Sequence, residues 1–150
     1  MVEVVAVLVI VVVLAAAAIP RMMGTSDVAA RVTADRVLAA LHYAQVLAQR
    51  QGVPTSAVFA DNPIALVTSG LTVYQSGVQV SFPTQNYDGS TDPNGLYNVL
   101  LEPDVAMSGG TVVYGADGIP TAGAGISYTF AGGGVSFKIK VEQTGFAHFE

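Results

Sequence analysis

From Val4 to Ile19 no charged or hydrogen-bonding side chain interrupts the chain, and whatever fold it adopts must keep this run away from water. Met1 to Ile19 reaches the roughly 18 apolar residues that a membrane-spanning helix needs, yet Glu3 lies inside it. A secretory signal peptide would fit the small residues Ala15–Ala18, but it wants a positively charged start, and this chain starts Met1-Val2-Glu3. A plain membrane anchor explains the hydrophobicity and leaves the acid unexplained, since a carboxylate in hydrocarbon costs about 2.5–3.5 kcal/mol even on a lenient insertion scale. A third reading gives Glu3 a partner: the positive α-amine of a neighbouring subunit.

The 150 residues suffice for one domain with a core. Charged residues make up only 11%, against about a quarter in a soluble domain, and the apolar excess is concentrated in the N-terminal run. Residues 1–51 hold four Arg against Glu3, Asp27 and Asp35, a net +1, while residues 52–150 hold Lys138 and Lys140 against eight carboxylates, a net −6. An acidic C-terminal part argues against nucleic-acid contact, which needs clustered Lys and Arg. With no cysteine, disulfides and thiolate metal sites are excluded.

Pro20 has no N–H to donate and its ring clashes with the preceding turn, and Gly24 weakens a helix by about 1 kcal/mol relative to Ala. A bend or melted stretch is therefore expected between Val12 and Gly24. The alternative is that a helix ends at Pro20 and a new one starts after an N-cap at Thr25, Ser26 or Asp27. From Asp27 to Gln51 the pattern is helical, with Val28, Val32, Val37, Leu38, Leu41, Ala44 and Ala48 expected on one inner face. Asp27–Arg31 and Arg31–Asp35 are spaced to pair on the solvent side, and Ala29, Ala30, Ala34, Ala39 and Ala40 keep the other faces slim. Gly52 and Pro54 stop the helix. A helix from Met1 to Gln51 spans roughly 75 Å, more than one small head covers, so lipid or other subunits must cover the rest.

After Pro54 the period changes to two. Strands are expected at Ser56–Ala60, Ile64–Thr68, Leu71–Tyr74, Val78–Phe82, Tyr97–Glu102, Thr111–Tyr114, Ile126–Phe130 and Val135–Val141, with Ala131–Gly134 turning the last two into a hairpin and Gln85–Gly95 forming a loop. In that hairpin Ile126, Tyr128, Phe130, Phe137, Ile139 and Val141 should point inward, and Lys138 and Lys140 outward. The expected fold class is α+β: a long N-terminal helix, apolar in its first half (residues 1–24) and amphipathic in its second (25–52), packed on an antiparallel β-sheet head (53–150).

The stretch Met1-Val2-Glu3-Val4-Val5 through Leu14-Ala15-Ala16-Ala17-Ala18-Ile19-Pro20-Arg21 resembles the N-terminal signature of type IV pilins and pseudopilins, with the acid and the proline in the family's spacing. Met1 stands where the third residue of the mature signature stands. Leu38–Gln45, Tyr114–Pro120 and Val141–Phe146 further resemble GspH/FimT-like pseudopilins and MSHA-type minor pilins. The resemblance implies the pilin fold. It places Glu3 and Met1, at a methylated chain start, in subunit assembly, and Pro20 and Gly24 in helix kinking or melting. The implied partners are further copies in a homopolymer or mixed filament, a prepilin peptidase and inner-membrane assembly machinery. The implied location is the inner membrane before assembly and an extracellular or periplasmic filament afterwards.

Catalytic chemistry is not evident in these residues. His42 and His148 are far apart, and Gly132–Gly134 lacks the Gly-Lys-Ser/Thr of a phosphate loop. Asp88, Ser90, Asp92 and Asn94 alternate like calcium ligands, but Pro93 replaces the needed glycine and no acid closes the loop at Val99, so a solvated turn is the expectation and no cofactor is assigned. Two function classes remain. The favoured one is a structural filament subunit serving adhesion, motility, DNA uptake or secretion; the other is a membrane-anchored extracytoplasmic ligand-binding module. An enzyme is not expected.

Overall fold

A computed structural model describes residues 2–60, 70–80, 98–102 and 104–150; for 2–25, 60, 98 and 100 it gives the backbone alone. Helix α1 spans Val2–Gln51, 50 residues without interruption, about 75 Å at about 1.5 Å per residue. It continues through Pro20 and Gly24, so the alternative of a helix ending at Pro20 is overturned, and Thr25, Ser26 and Asp27 are interior positions rather than an N-cap. Propagating an existing helix costs far less than starting a new one. At the far end the N–H of Gly52 donates to the Ala48 carbonyl at 2.9 Å. Gly52 has φ +64°, the left-handed stop that glycine adopts without strain.

The helix buries most of the expected stripe: Val37, Leu41, Ala44 and Ala48 are in the core and Leu38 packs against it, while Val28 is the exception. Ala30, Thr33, Ala34, Val37, Ala40, Leu41, Ala44 and Ala48 are fully buried, whereas Val28 is 61% exposed. The buried stripe is widened by Ala30, Ala34 and Ala40, expected on other faces, whose small side chains let two sheets approach the helix axis. Thr33 is accommodated because its hydroxyl donates to the Ala29 carbonyl at 2.9 Å. Of the two expected ion pairs on α1, Arg31–Asp35 forms at 3.3 Å. Asp27–Arg31 does not, because the Arg31 guanidinium lies over the Phe149 ring, 4.0 Å from its centroid.

Two antiparallel sheets pack against α1. The first runs β3 (Val78–Gln79), β2 (Gly70–Gln75), β1 (Thr55–Ala60), β6 (Val112–Tyr114), β7 (Pro120–Ala122), with β4 (Asn98–Leu100) also pairing β2. The second runs β10 (Ala147–Phe149), β9 (Val135–Val141), β8 (Ser127–Gly132), β5 (Ala106–Ser108). Tyr128 pairs with Ile139 and Phe130 with Phe137. Tyr128, Phe130, Ile139 and Val141 are buried, and Lys138 is exposed, as the alternation requires. The turn narrows to Gly133–Gly134, both at positive φ (61° and 94°), the two-residue connection that suits the twist of a hairpin.

The strands expected at Ser56–Ala60, Leu71–Tyr74 and Thr111–Tyr114 appear as β1, β2 and β6, and parts of Val78–Phe82 and Tyr97–Glu102 as β3 and β4. Ile64–Thr68 and the Gln85–Gly95 loop lie outside the described residues. Strands β5, β7 and β10 were not expected: each is three residues long, too short to show a period. The core joins the buried α1 stripe to Ala57, Leu71, Val73, Val112, Tyr114, Tyr128, Phe130, Ile139 and Val141.

Candidate assembly interface

Among the described residues, head contacts on α1 begin at Ser26, whose carbonyl abuts Gly132, and end at Gln49, whose side-chain amide donates to the Asp117 carbonyl at 3.3 Å. About 36 Å of helix, residues 2–25 at about 1.5 Å each, precede this zone. Glu3, Pro20 and Gly24 lie in that stem, described by backbone alone; Met1 and the loop residues Asp88, Ser90, Asp92 and Asn94 lie outside the described residues. Among the described residues no helix is long and apolar enough to cross a membrane; the apolar run of 4–19 falls in the backbone-only stretch.

At the lower end of the junction the β8–β9 turn presses backbone against backbone. A Cβ on Gly133 would collide with the Asp27 carboxylate, and one on Gly132 would sit 3.0 Å from the Ser26 carbonyl oxygen and 3.3 Å from that of Asp104. Higher up, Arg36 pairs with Glu102 at 2.6 Å with both side chains mostly buried. Arg31 stacks over Phe149 and Phe137. Such stacking suits a planar guanidinium, which is weakly hydrated.

The upper end is held by a row of donors on one flank of α1. His42 Nε2 lies 2.9 Å from the Ala147 carbonyl oxygen and donates to it, since a carbonyl only accepts. Gln45 donates to the carbonyls of Gly118 (3.2 Å) and Thr144 (3.4 Å), and Gln49 follows one turn on. Gly145, at φ +88°, packs so closely that a Cβ would strike the Gly118 carbonyl oxygen and come within 2.6 Å of Gln45 Nε2. The three segments singled out in the sequence, Leu38–Gln45, Tyr114–Pro120 and Val141–Phe146, thus meet at this one place. Their meeting was not foreseen, because single-sequence periodicity carries no information on which loops converge. The Arg36–Glu102 pair was missed for the same reason.

His42 and His148 are brought near, but not to each other. His42 stacks with Phe146 at 5.6 Å and Phe146 with His148 at 5.9 Å. Among the described residues no three His, Cys, Asp or Glu side chains gather as metal ligands. Burial pushes the hydroxyl pKa values of Tyr114 and Tyr128 up, with the neighbouring Tyr114 adding to the shift of Tyr128. Both therefore stay neutral and act as packing groups at ordinary pH.

No family model matches the sequence, and no curated protein matches it. Among solved structures, the crystal structure of the type IV minor pilin FimU of Pseudomonas aeruginosa is similar, with a TM-score of 0.56 and 17% sequence identity over 80% of this chain and 87% of that one. At this identity the likeness is one of fold. The single N-terminal helix packed on antiparallel sheets is the α+β architecture expected, and it matches the pilin fold.

Proposed function

We propose that the chain is a structural subunit of a type IV pilus or a related type II secretion-like filament, polymerising through its N-terminal helix. The observation that carries this is the single uninterrupted helix α1, Val2–Gln51, whose first half bears the Val4–Ile19 apolar run with Glu3 near its start and whose second half packs on the head. Backbone that is helical and side chains that are apolar suit either lipid or a bundle of like helices. The acid is favourable only in the bundle, where the α-amine of the adjacent copy can meet it. The fold likeness to a minor pilin supports the same reading, as does the sequence resemblance to GspH/FimT-like and MSHA-type proteins. On it the subunit waits in the inner membrane, is processed by a prepilin peptidase, and is built by the inner-membrane machinery into an extracellular or periplasmic filament. The role is structural rather than enzymatic.

Glu3→Ala tests this directly. It leaves the head folded and the subunit in the membrane, and it largely prevents filament growth. The measurement is the yield of sheared filaments with membrane levels of the subunit as control; a normal yield removes the argument for the pairing.

A further inference from the structure

The basic side chains of the head are segregated. After Gln51 the chain has only Lys138, Lys140 and His148, and strand pairing places all three on one face of the second sheet. Lys140 lies opposite Ser127 on one side and His148 on the other; Lys138 lies opposite Thr129, which in turn lies opposite Ser108. The alternate residues Tyr128, Phe130, Ile139 and Val141 are buried, so the lysines and hydroxyls form the outer face. Lys140 is engaged by Glu142 at 3.2 Å, and His148 approaches the same carboxylate at 3.9 Å. Lys138 is exposed and makes no ion pair among the described residues. Glu150, whose N–H bonds to the Lys138 carbonyl, does not pair with its ammonium.

At the foot of the head Asp104 presents an exposed charge of the opposite sign. Asp27 lies against Gly133 and the Asp104 carbonyl against Gly132, at the start of the β8–β9 turn. One Asp27 oxygen is buried without a partner, and Arg31, one helical turn away, is drawn to Asp35 and the Phe149 ring. Asp104 is exposed, at φ +64°, with no cation beside it among the described residues.

We propose that the outer face of the β10-β9-β8-β5 sheet docks on this corner of a second copy of the chain, Lys138 of one copy meeting the exposed Asp104 of the next. The inference rests on the filament reading above. Two different surfaces of one chain that match each other make a head-to-tail contact, the kind that generates an open helical array. Lys138 stands four residues along β9 from Gly134, at most about 13 Å at about 3.3 Å per residue. A neighbour displaced along the stem by up to that amount brings its corner level with the lysine.

The chain has two lysines only, which makes zero-length carbodiimide coupling decisive: it joins an ammonium nitrogen to a carboxyl carbon as an amide, with loss of water. Filaments grown from mixed isotope-labelled and unlabelled copies are coupled and analysed by mass spectrometry, with the intrachain Lys140–Glu142 link as internal reference. The expected product joins Lys138 of one label to Asp104 of the other. Recovery of the reference link with Lys138 joined only within its own chain, or to nothing, overturns the proposal. Independently, Lys138→Asp and Asp104→Lys each lower sheared-filament yield about fivefold, as loss of one exposed ion pair per contact would, and the two together restore it. Asp104→Asn, which keeps a residue tolerant of positive φ, guards against misfolding and lowers yield like Asp104→Lys. A double exchange as poor as either single one overturns the contact. So does a Lys138→Asp chain that assembles normally but loses binding to anionic vesicles, which would make a lipid surface the occupant. Absence of filaments from the wild-type chain fails the filament reading itself, whereas wild-type filaments with no Lys138 link fail only this contact.

Discussion

The Tyr114 hydroxyl is buried without a partner among the described residues, while that of Tyr128 donates to the Gly110 carbonyl at 2.7 Å. The same substitution should therefore act differently at the two sites. Tyr128→Phe costs about 1 kcal/mol, the net worth of one hydrogen bond, and Tyr114→Phe is neutral or stabilising because it removes a desolvated hydroxyl that gained nothing; urea unfolding of the two variants checks this. Both phenols have folded-state pKa values raised by burial. The stability they confer is complete below the unfolded value near 10 and falls as pH rises from there toward the folded pKa, by up to about 1.4 kcal/mol per pH unit for each tyrosine. Tyrosinate absorbance should accordingly show these two rings ionising only as the chain unfolds. Gly145→Ala is a harsher change. It imposes φ +88° on an L side chain and drives its Cβ into Gly118 and Gln45, so a loss of about 2–3 kcal/mol is expected in the same unfolding assay.

Helix α1 passes Pro20 and Gly24 as one element in the isolated chain, but the proline removes one hydrogen bond and costs about 3 kcal/mol relative to Ala in a helix interior. In an assembled filament this is where the helix should open between Val12 and Gly24. Pro20→Ala should raise hydrogen-exchange protection of those amides in filaments, and equal protection in wild type and variant would count against local melting. The helix's second half and the Ile126–Val141 hairpin were legible from sequence because each shows its period over many residues, with Gly52 stopping the one and Gly133–Gly134 turning the other. The core of the buried stripe was legible too, but the burial of Ala30, Ala34 and Ala40 was not, since alanine satisfies both a core face and a mere preference for helix, and only packing distinguishes the two. Strands β5, β7 and β10 were illegible for want of length. The Asp27–Arg31 pair failed because a spacing rule on one helix cannot see the Phe149 ring arriving from the chain's far end.

For the whole molecule, every described buried position on α1 falls between Ala30 and Ala48, so the head's core draws on the second half of the helix. A chain of residues 25–150 should fold and stay monomeric and soluble, which circular dichroism and sedimentation will check; aggregation or loss of β structure would mean that the core depends on the apolar half as well. The role proposed for Glu3 rests on the cost of a carboxylate in an apolar run, whereas the segregation of Lys138, Lys140 and His148 needed the strand register to become visible. The row formed by His42, Gln45 and Gln49 has a further consequence. Its acceptors are the carbonyls of Ala147, Gly118, Thr144 and Asp117, which belong to the main chain and are present whatever side chains the loops carry. A lineage can therefore rewrite the outward residues of these loops, and with them what the surface displays, while the stem keeps the same grip, provided the backbone path and Gly145 are retained.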